Sequence, residues 1–139
     1  MSQASEIGDA LKGRSDDEIL AWIRSVGGEA VFLKQAFWGM KEAFHADRAE
    51  GQSAVIRWDI DTPERGLVAY ELEVSDGECQ VSRGARGQPQ VVLALSLADF
   101  LRLVTGSLDP FEALADGKLR VSGDMALANR LSEWFEEEP

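Results

Sequence analysis

The sequence predicts an α/β chain of the two-layer α+β kind, with a five-stranded mixed β-sheet and helices packed on one of its faces. The period of the apolar residues carries most of that expectation. They repeat at helical spacing before His45, alternate in short runs between Ala54 and Leu95, and return to helical spacing after Ser96, broken by one alternating run at Lys118–Ser122. Size and composition carry the rest. The chain has 139 residues, 45% hydrophobic and 28% charged, which matches a single core spanning residues 1–139. The small and polar residues 1–12 are expected to fray. Neither an internal repeat nor an interdomain linker interrupts the pattern.

Taken in order, Ser15-Asp16-Asp17-Glu18 opens the first helix. Ser15 can cap a free backbone N–H, Glu18 stands at the reciprocal capping-box position, and the acids complement the helix dipole. Ile19, Trp22, Ile23 and Val26 share a face, and Gly27-Gly28 ends the helix. A longer helix is predicted from about Glu29 to His45, with Leu33, Ala36, Phe37, Met40 and Phe44 on one stripe widened by Val31 and Phe32.

The strands follow. Ala54, Ile56, Trp58 and Ile60 face one way, with Arg57 and Asp59 opposite; after the turn Asp61–Gly66, Val68, Tyr70, Leu72 and Val74 do the same, with Glu71 and Glu73 opposite. Ser75-Asp76-Gly77 closes a hairpin onto Cys79–Arg83. Val91–Leu95 is a short apolar strand. Ser96 then caps a helix bearing Leu97, Phe100, Leu101 and Val104, and Asp109-Pro110-Phe111-Glu112 starts another with a cap and a proline at its first position. Lys118–Ser122 reads as the fifth strand. The span from Leu95 to Leu119 is long enough for a crossover, so these two strands are expected to run parallel. A last helix from about Asp124 carries Met125, Ala128, Leu131 and Phe135, widened by Leu127 and Trp134.

Charge and cysteine content remove several functions. Lys plus Arg number 14 against 25 Asp plus Glu, a formal net charge of −11. Such a field repels nucleic-acid phosphates and anionic lipid headgroups, so nucleic-acid binding is not expected and docking to anionic membranes is weak or absent. No run reaches the roughly 18 apolar residues of a spanning helix, and a cytoplasmic location is the expectation. Cys79 is the single cysteine and His45 the single histidine, so neither a disulfide nor a thiolate or multi-histidine metal cage can form within the chain.

Catalytic candidates are sparse. His45, near a helix C-terminus, fits a dipole-friendly surface residue better than a base. Cys79 alternates onto the apolar side of its strand, which makes it a small buried hydrophobe rather than a reactive thiol. Asp59 and Asp61 share the polar face of a strand and are expected to be solvated charges, as are Glu71, Glu73 and the acidic tail. Gly84-Ala85-Arg86-Gly87 lacks the strand-to-helix context of a phosphate loop. No cofactor or metal and no enzymatic activity is expected. The 4 Trp and 6 Phe are the more informative feature: they fill a core, or some of them line an apolar pocket.

The order of residues after Val91 decides between these. Val91-Val92-Leu93-Ala94-Leu95-Ser96-Leu97-Ala98-Asp99-Phe100 resembles the strand-to-helix step of the sterol carrier protein 2 (SCP-2) family. Thr105–Leu114 is similar to that family's helix–loop–helix, with Gly106, Leu108, Pro110 and Ala113 in its G-x-L-x-P-x-x-A pattern. Gly117-Lys118-Leu119 followed by Gly123-Asp124 resembles its signature of strand, G-D turn and final helix. The likeness is specific over Val91–Leu131 and generic over Ala54–Arg83, and it is to the bacterial, stand-alone form of the family.

That resemblance implies a non-enzymatic carrier of a hydrophobic small molecule (fatty acid, acyl-CoA, sterol or phospholipid) in a tunnel between sheet and helices. By position in the motif and by helix face, the ligand-binding candidates are Phe37, Met40, Phe100, Val104, Phe111, Leu114, Met125, Ala128, Leu131 and Phe135. A second reading keeps the fold with its pocket closed, as a scaffold or dimerisation module, or as an accessory to a partner enzyme. A third, a small enzyme on a cone-shaped α+β fold, would have to work through Asp59, Asp61 or His45, and such chains end in strands rather than a helix. The residues do not choose between a monomer and a homodimer.

Overall fold

Residues 13–42, 44, 51, 53–84, 88–105 and 107–134 are described by a computed structural model, with backbone alone at 129 and 131–134. Side-chain caps set where most of its helices begin. Helix α1 (Asp16–Ser25) starts at a capping box: Ser15 Oγ accepts from Glu18 N at 3.2 Å, while Glu18 Oε1 accepts from Ser15 N at 3.3 Å. Helix α2 runs from Glu29 to Glu42, and His45 lies outside the described residues. Helix α3 (Leu97–Val104) is capped by Ser96 Oγ, which accepts from Asp99 N at 3.2 Å. Asp109 caps α4 (Pro110–Ala115) by accepting from Phe111 N and Glu112 N at 2.8 and 3.2 Å, and Asp124 accepts from Leu127 N at 3.1 Å in α5 (Met125–Trp134).

The strands are β1 (Ala54–Thr62), β2 (Gly66–Ser75), β3 (Glu78–Arg83), β4 (Val91–Ser96) and β5 (Arg120–Gly123), in the order β3-β2-β1-β4-β5. The sheet is mixed, as the sequence predicts, but the parallel pair is not the expected one. β1 pairs with β4 in parallel, Trp58 beside Leu93, whereas β4 and β5 are antiparallel with Ala94 beside Arg120. A connection of crossover length permits a crossover without requiring one. α3 has eight residues, so it advances only about 12 Å, and the shorter α4 brings the chain back to the end of β4 that it left. The fifth strand also starts later than its alternation indicates. The N–H groups of Lys118 and Leu119 both donate to the Ala113 carbonyl, at 2.9 and 3.1 Å, and are lost to the sheet.

One sheet face is dry. Ile56, Trp58 and Ile60 of β1, Val68, Tyr70, Leu72 and Val74 of β2, Cys79 of β3 and Val91, Leu93 and Leu95 of β4 are all buried in the core with Ile19, Ile23, Phe32, Leu33, Phe37, Phe100 and Leu101 from the helices. The opposite face departs from a simple solvated one. Asp61 and Glu73 are exposed, but Asp59 is largely covered and pairs with Arg57, Nε to Oδ1 at 3.0 Å, and Glu71, beside Arg57 in register, is only 4% exposed. Alternation assigns a residue to a face; it does not register that charges sharing that face, along one strand or across two, cover one another.

Two polar ties hold helices in place. Arg102 Nη1 of α3 binds Asp99 Oδ1 at 2.8 Å and Asp16 Oδ1 of α1 at 2.6 Å. Burial opposes the arginine's charge, yet the two carboxylates outweigh it and raise its pKa. Glu29, buried at the start of α2, accepts from Glu64 N of the β1–β2 turn at 3.3 Å.

The Gly123-Asp124 turn has a steric cause. Gly123 has φ +101°, and a Cβ there would stand 2.1 Å from the Gln90 carbonyl oxygen, to which Asp124 N donates at 2.8 Å. Gly123→Ala is expected to cost about 2–3 kcal/mol, read as a lower urea midpoint with unchanged slope.

Candidate functional site

Alternation along β1 and β2 puts Trp58 and Tyr70 side by side on the dry face, in register. Helical spacing on α2 brings Phe37 down onto them, and Phe100 arrives from α3. Phe37 stacks on Tyr70 at 4.3 Å and 12° and on Phe100 at 5.2 Å and 21°. Trp58 meets Phe100 and Phe37 edge-on at 5.4 and 6.2 Å. Phe32 extends the cluster from Phe100, at 6.3 Å, to Trp22 of α1, at 6.4 Å. Sheet and three helices therefore meet through one run of rings, in geometries that favour ring edges and offset faces.

The ten candidate ligand-binding residues divide by depth. Phe37 and Phe100 are fully buried in this cluster. Met40, Val104 and Ala128 are partly buried and pack against the core. Phe111, Leu114 and Met125 lie at the surface, 68%, 41% and 49% exposed. Of α4's six residues only Ala113 is buried. Leu131 belongs to α5 but its side chain is not described, and Phe135 lies outside the described residues. Trp58 and Tyr70 belong with Phe37 and Phe100 although sequence reasoning left them out of the site. Their shared strand parity was visible; their contact with α2 depends on where the helix lands.

Among the described residues, no group of three or more His, Cys, Asp or Glu could hold a metal ion. Among the described residues, Glu29 is the one charged side chain buried on the helix side, and Oε1 of that carboxylate has no partner there. Cys79 is buried on the dry face as alternation indicates, and burial pushes its thiol up to about 11, with the Lys41 ammonium acting weakly the other way. Asp59 is held by Arg57, while Ala85, Arg86 and Gly87 lie outside the described residues.

Comparison with known proteins places this arrangement. The model of the SCP-2 sterol transfer family matches residues 33–136. The chain is 27% identical over 101 residues to hydroxysteroid dehydrogenase-like protein 2 of Bos taurus, covering 73% of this chain and 24% of that one. It is 30% identical over 80 residues to peroxisomal multifunctional enzyme type 2 of Mus musculus, covering 57% and 11%. The chain thus spans a quarter or less of these relatives' length. Among solved structures, sterol carrier protein 2 like 2 of Aedes aegypti superposes with a TM-score of 0.61 at 24% identity, over 73% of this chain and 94% of that one. A stereoselective sec-alkylsulfatase from Pseudomonas sp. gives 0.60 at 15% identity, over 72% and 16%. These likenesses show the fold.

Two outcomes follow from the depths and the thiol. Phe100→Ala should cost about 3–5 kcal/mol and Phe111→Ala under about 0.5 kcal/mol by urea unfolding. Cys79 should react with iodoacetamide at pH 8 about 100-fold more slowly in the folded chain than in the unfolded one, on thiolate fraction alone. Because folding raises this pKa, from an ordinary 9.0 to about 11, the stabilisation it reflects is full below about pH 9 and is lost as pH rises through 11.

Proposed function

The chain belongs to the SCP-2 sterol transfer family, a family of lipid binding and transfer, and from that membership we propose that it carries a hydrophobic ligand in a tunnel between its sheet and helices, without catalysis of its own. A fatty acid, acyl-CoA, sterol or phospholipid fits this reading. Phe37 and Phe100 form its deep wall, Ala128 its middle, and Phe111, Leu114 and Met125 its outer end.

The observation that carries it is the apolar surface left on α4 and α5. Phe111 and Leu114, three residues apart, share a face of α4, and that face is turned to solvent while Ala113 alone is buried. An acyl chain laid along such surface gains about 25 cal/mol for each Å² of apolar area it takes from water. A helix that buries one small side chain also opens at little cost, since local stability follows buried apolar contact. Specificity then rests on the few polar groups within the site. The net charge of −11 opposes collisional transfer to anionic membranes, so storage, or delivery to an acceptor protein, suits the chain better. No helix among the described residues is long and apolar enough to cross a membrane.

A second reading has its own observation. The relatives named above carry enzyme names and are far longer than the matched region, so an accessory module acting by contact beside an enzyme is the alternative.

Native mass spectrometry of freshly purified protein, followed by solvent extraction, separates the two. A carrier shows an added mass of a few hundred daltons that extraction removes and that incubation with lipid restores. Ala128→Trp, which fills the space beside the core, should abolish that uptake while costing about 1–3 kcal/mol of stability. A bare mass that stays bare after incubation with fatty acids, acyl-CoAs and sterols would favour the accessory module, and full uptake by folded Ala128→Trp would remove the pocket from this place.

A further inference from the structure

Trp58 is 9% exposed, and its indole Nε1–H is buried with no acceptor among the described residues within hydrogen-bonding reach. Buried donors without partners are rare, because the water they give up is normally replaced. The position makes this one more pointed. β1 is the central strand, Trp58 stands near its middle on the face that meets the helices, and the rings in T-shaped contact with it, Phe37 and Phe100, offer at most weakly accepting π-faces. Its register partners on the sheet are Tyr70 on β2 and Leu93 on β4.

We infer that the Trp58 Nε1–H is the donor that receives the inner polar end of the bound ligand, and that this end is an uncharged oxygen, a hydroxyl or a carbonyl. The inference rests on the carrier reading above and adds to it a residue and a ligand chemistry. The neutrality follows from what surrounds the donor. No Lys, Arg or His is found among the buried described residues, and the charged side chain buried on the helix side, Glu29, is itself a carboxylate. Of the two lysines on α2, Lys34 is exposed, and Lys41 lies over the Trp38 ring at 5.3 Å, where its field reaches Cys79. Cys79 pairs with Val74, which pairs with Ala54, four residues and about 13 Å along β1 from Trp58. A carboxylate brought to Trp58 would be an unpaired buried charge, whereas a single N–H satisfies a ketone, ester or alcohol oxygen.

The test uses the full chain, wild type and Trp58→Phe, with four ligands of equal chain length: dodecan-1-ol, dodecan-2-one, dodec-1-ene and dodecanoate. Affinity is read by displacement of bound Nile red. Trp58→Phe should weaken the alcohol and the ketone about tenfold and the alkene by less than about twofold. In wild-type protein carrying ¹⁵N-labelled indole, assigned by triple resonance, the Trp58 signal should move to lower field with the ketone and stay with the alkene. Equal weakening of all four ligands would make Trp58 a packing residue and overturn the inference. The largest loss on dodecanoate would overturn its neutral ligand. An indole signal unmoved by bound ketone overturns it even if Trp58→Phe fails to fold. Failure of wild type to exchange Nile red for any of the four would instead sink the carrier reading itself.

Discussion

The stack of Phe37 between Tyr70 and Phe100 is the contact on which the two layers depend. Each ring comes from a different element, so the stack fixes the height of α2 above β2 and of α3 above β1 at once. Trp58 closes it from below, edge-on to both phenylalanines. A large ring removed from such a place leaves a void that its neighbours fill only in part. The polar ties at the rim, Arg102 to Asp16 and Asp99 and Glu29 to the β1–β2 turn, orient helices whose depth the rings have already set.

Burial falls off from this stack toward the C-terminal helices, and that gradient gives the molecule its working asymmetry. α2 and α3 place Phe32, Leu33, Phe37, Phe100 and Leu101 out of water, whereas α4 buries Ala113 and leaves Phe111 and Leu114 outside. The deeply buried helices and the sparsely buried one differ in how firmly packing holds them. On the proposed carrier reading, that difference would let an apolar guest enter without the core being dismantled. The same gradient explains why the sequence motif around Pro110 keeps its shape. Asp109 and the proline start the helix without help from packing, and the Ala113 carbonyl receives Lys118 and Leu119 so that the chain leaves it in a set direction.

Electrostatics work locally against a strongly acidic whole. The cations Arg57 and Arg102 each sit against carboxylates, partly covered, where the pairing is less screened than on the open surface. On the dry face Cys79 keeps its proton, and the Trp58 N–H stands unpaired among the described residues.

Much of this was legible in the residues. The capping box at Ser15, the caps at Ser96 and Asp109, the parity of β1 and β2 and the five-strand count are local properties, set by hydrogen bonds within four residues or by the two-residue period of a strand, and the structure has them. The family resemblance over Val91–Leu131 was likewise carried by local order, and the match over residues 33–136 bears it out. What needed the tertiary structure were relations between segments distant in the chain. The direction of β5 follows from how far α3 and α4 reach, which no spacing of apolar residues records. Glu71 is buried beside Arg57 of the neighbouring strand, and Asp59 is held by Arg57 two residues back on its own, neither of which alternation records. Phe37 and Phe111 look alike in sequence, each an aromatic on an apolar helical stripe. One is sealed and the other exposed because the helix under Phe37 lands on Tyr70 and Phe100, while α4 presses only an alanine against the body.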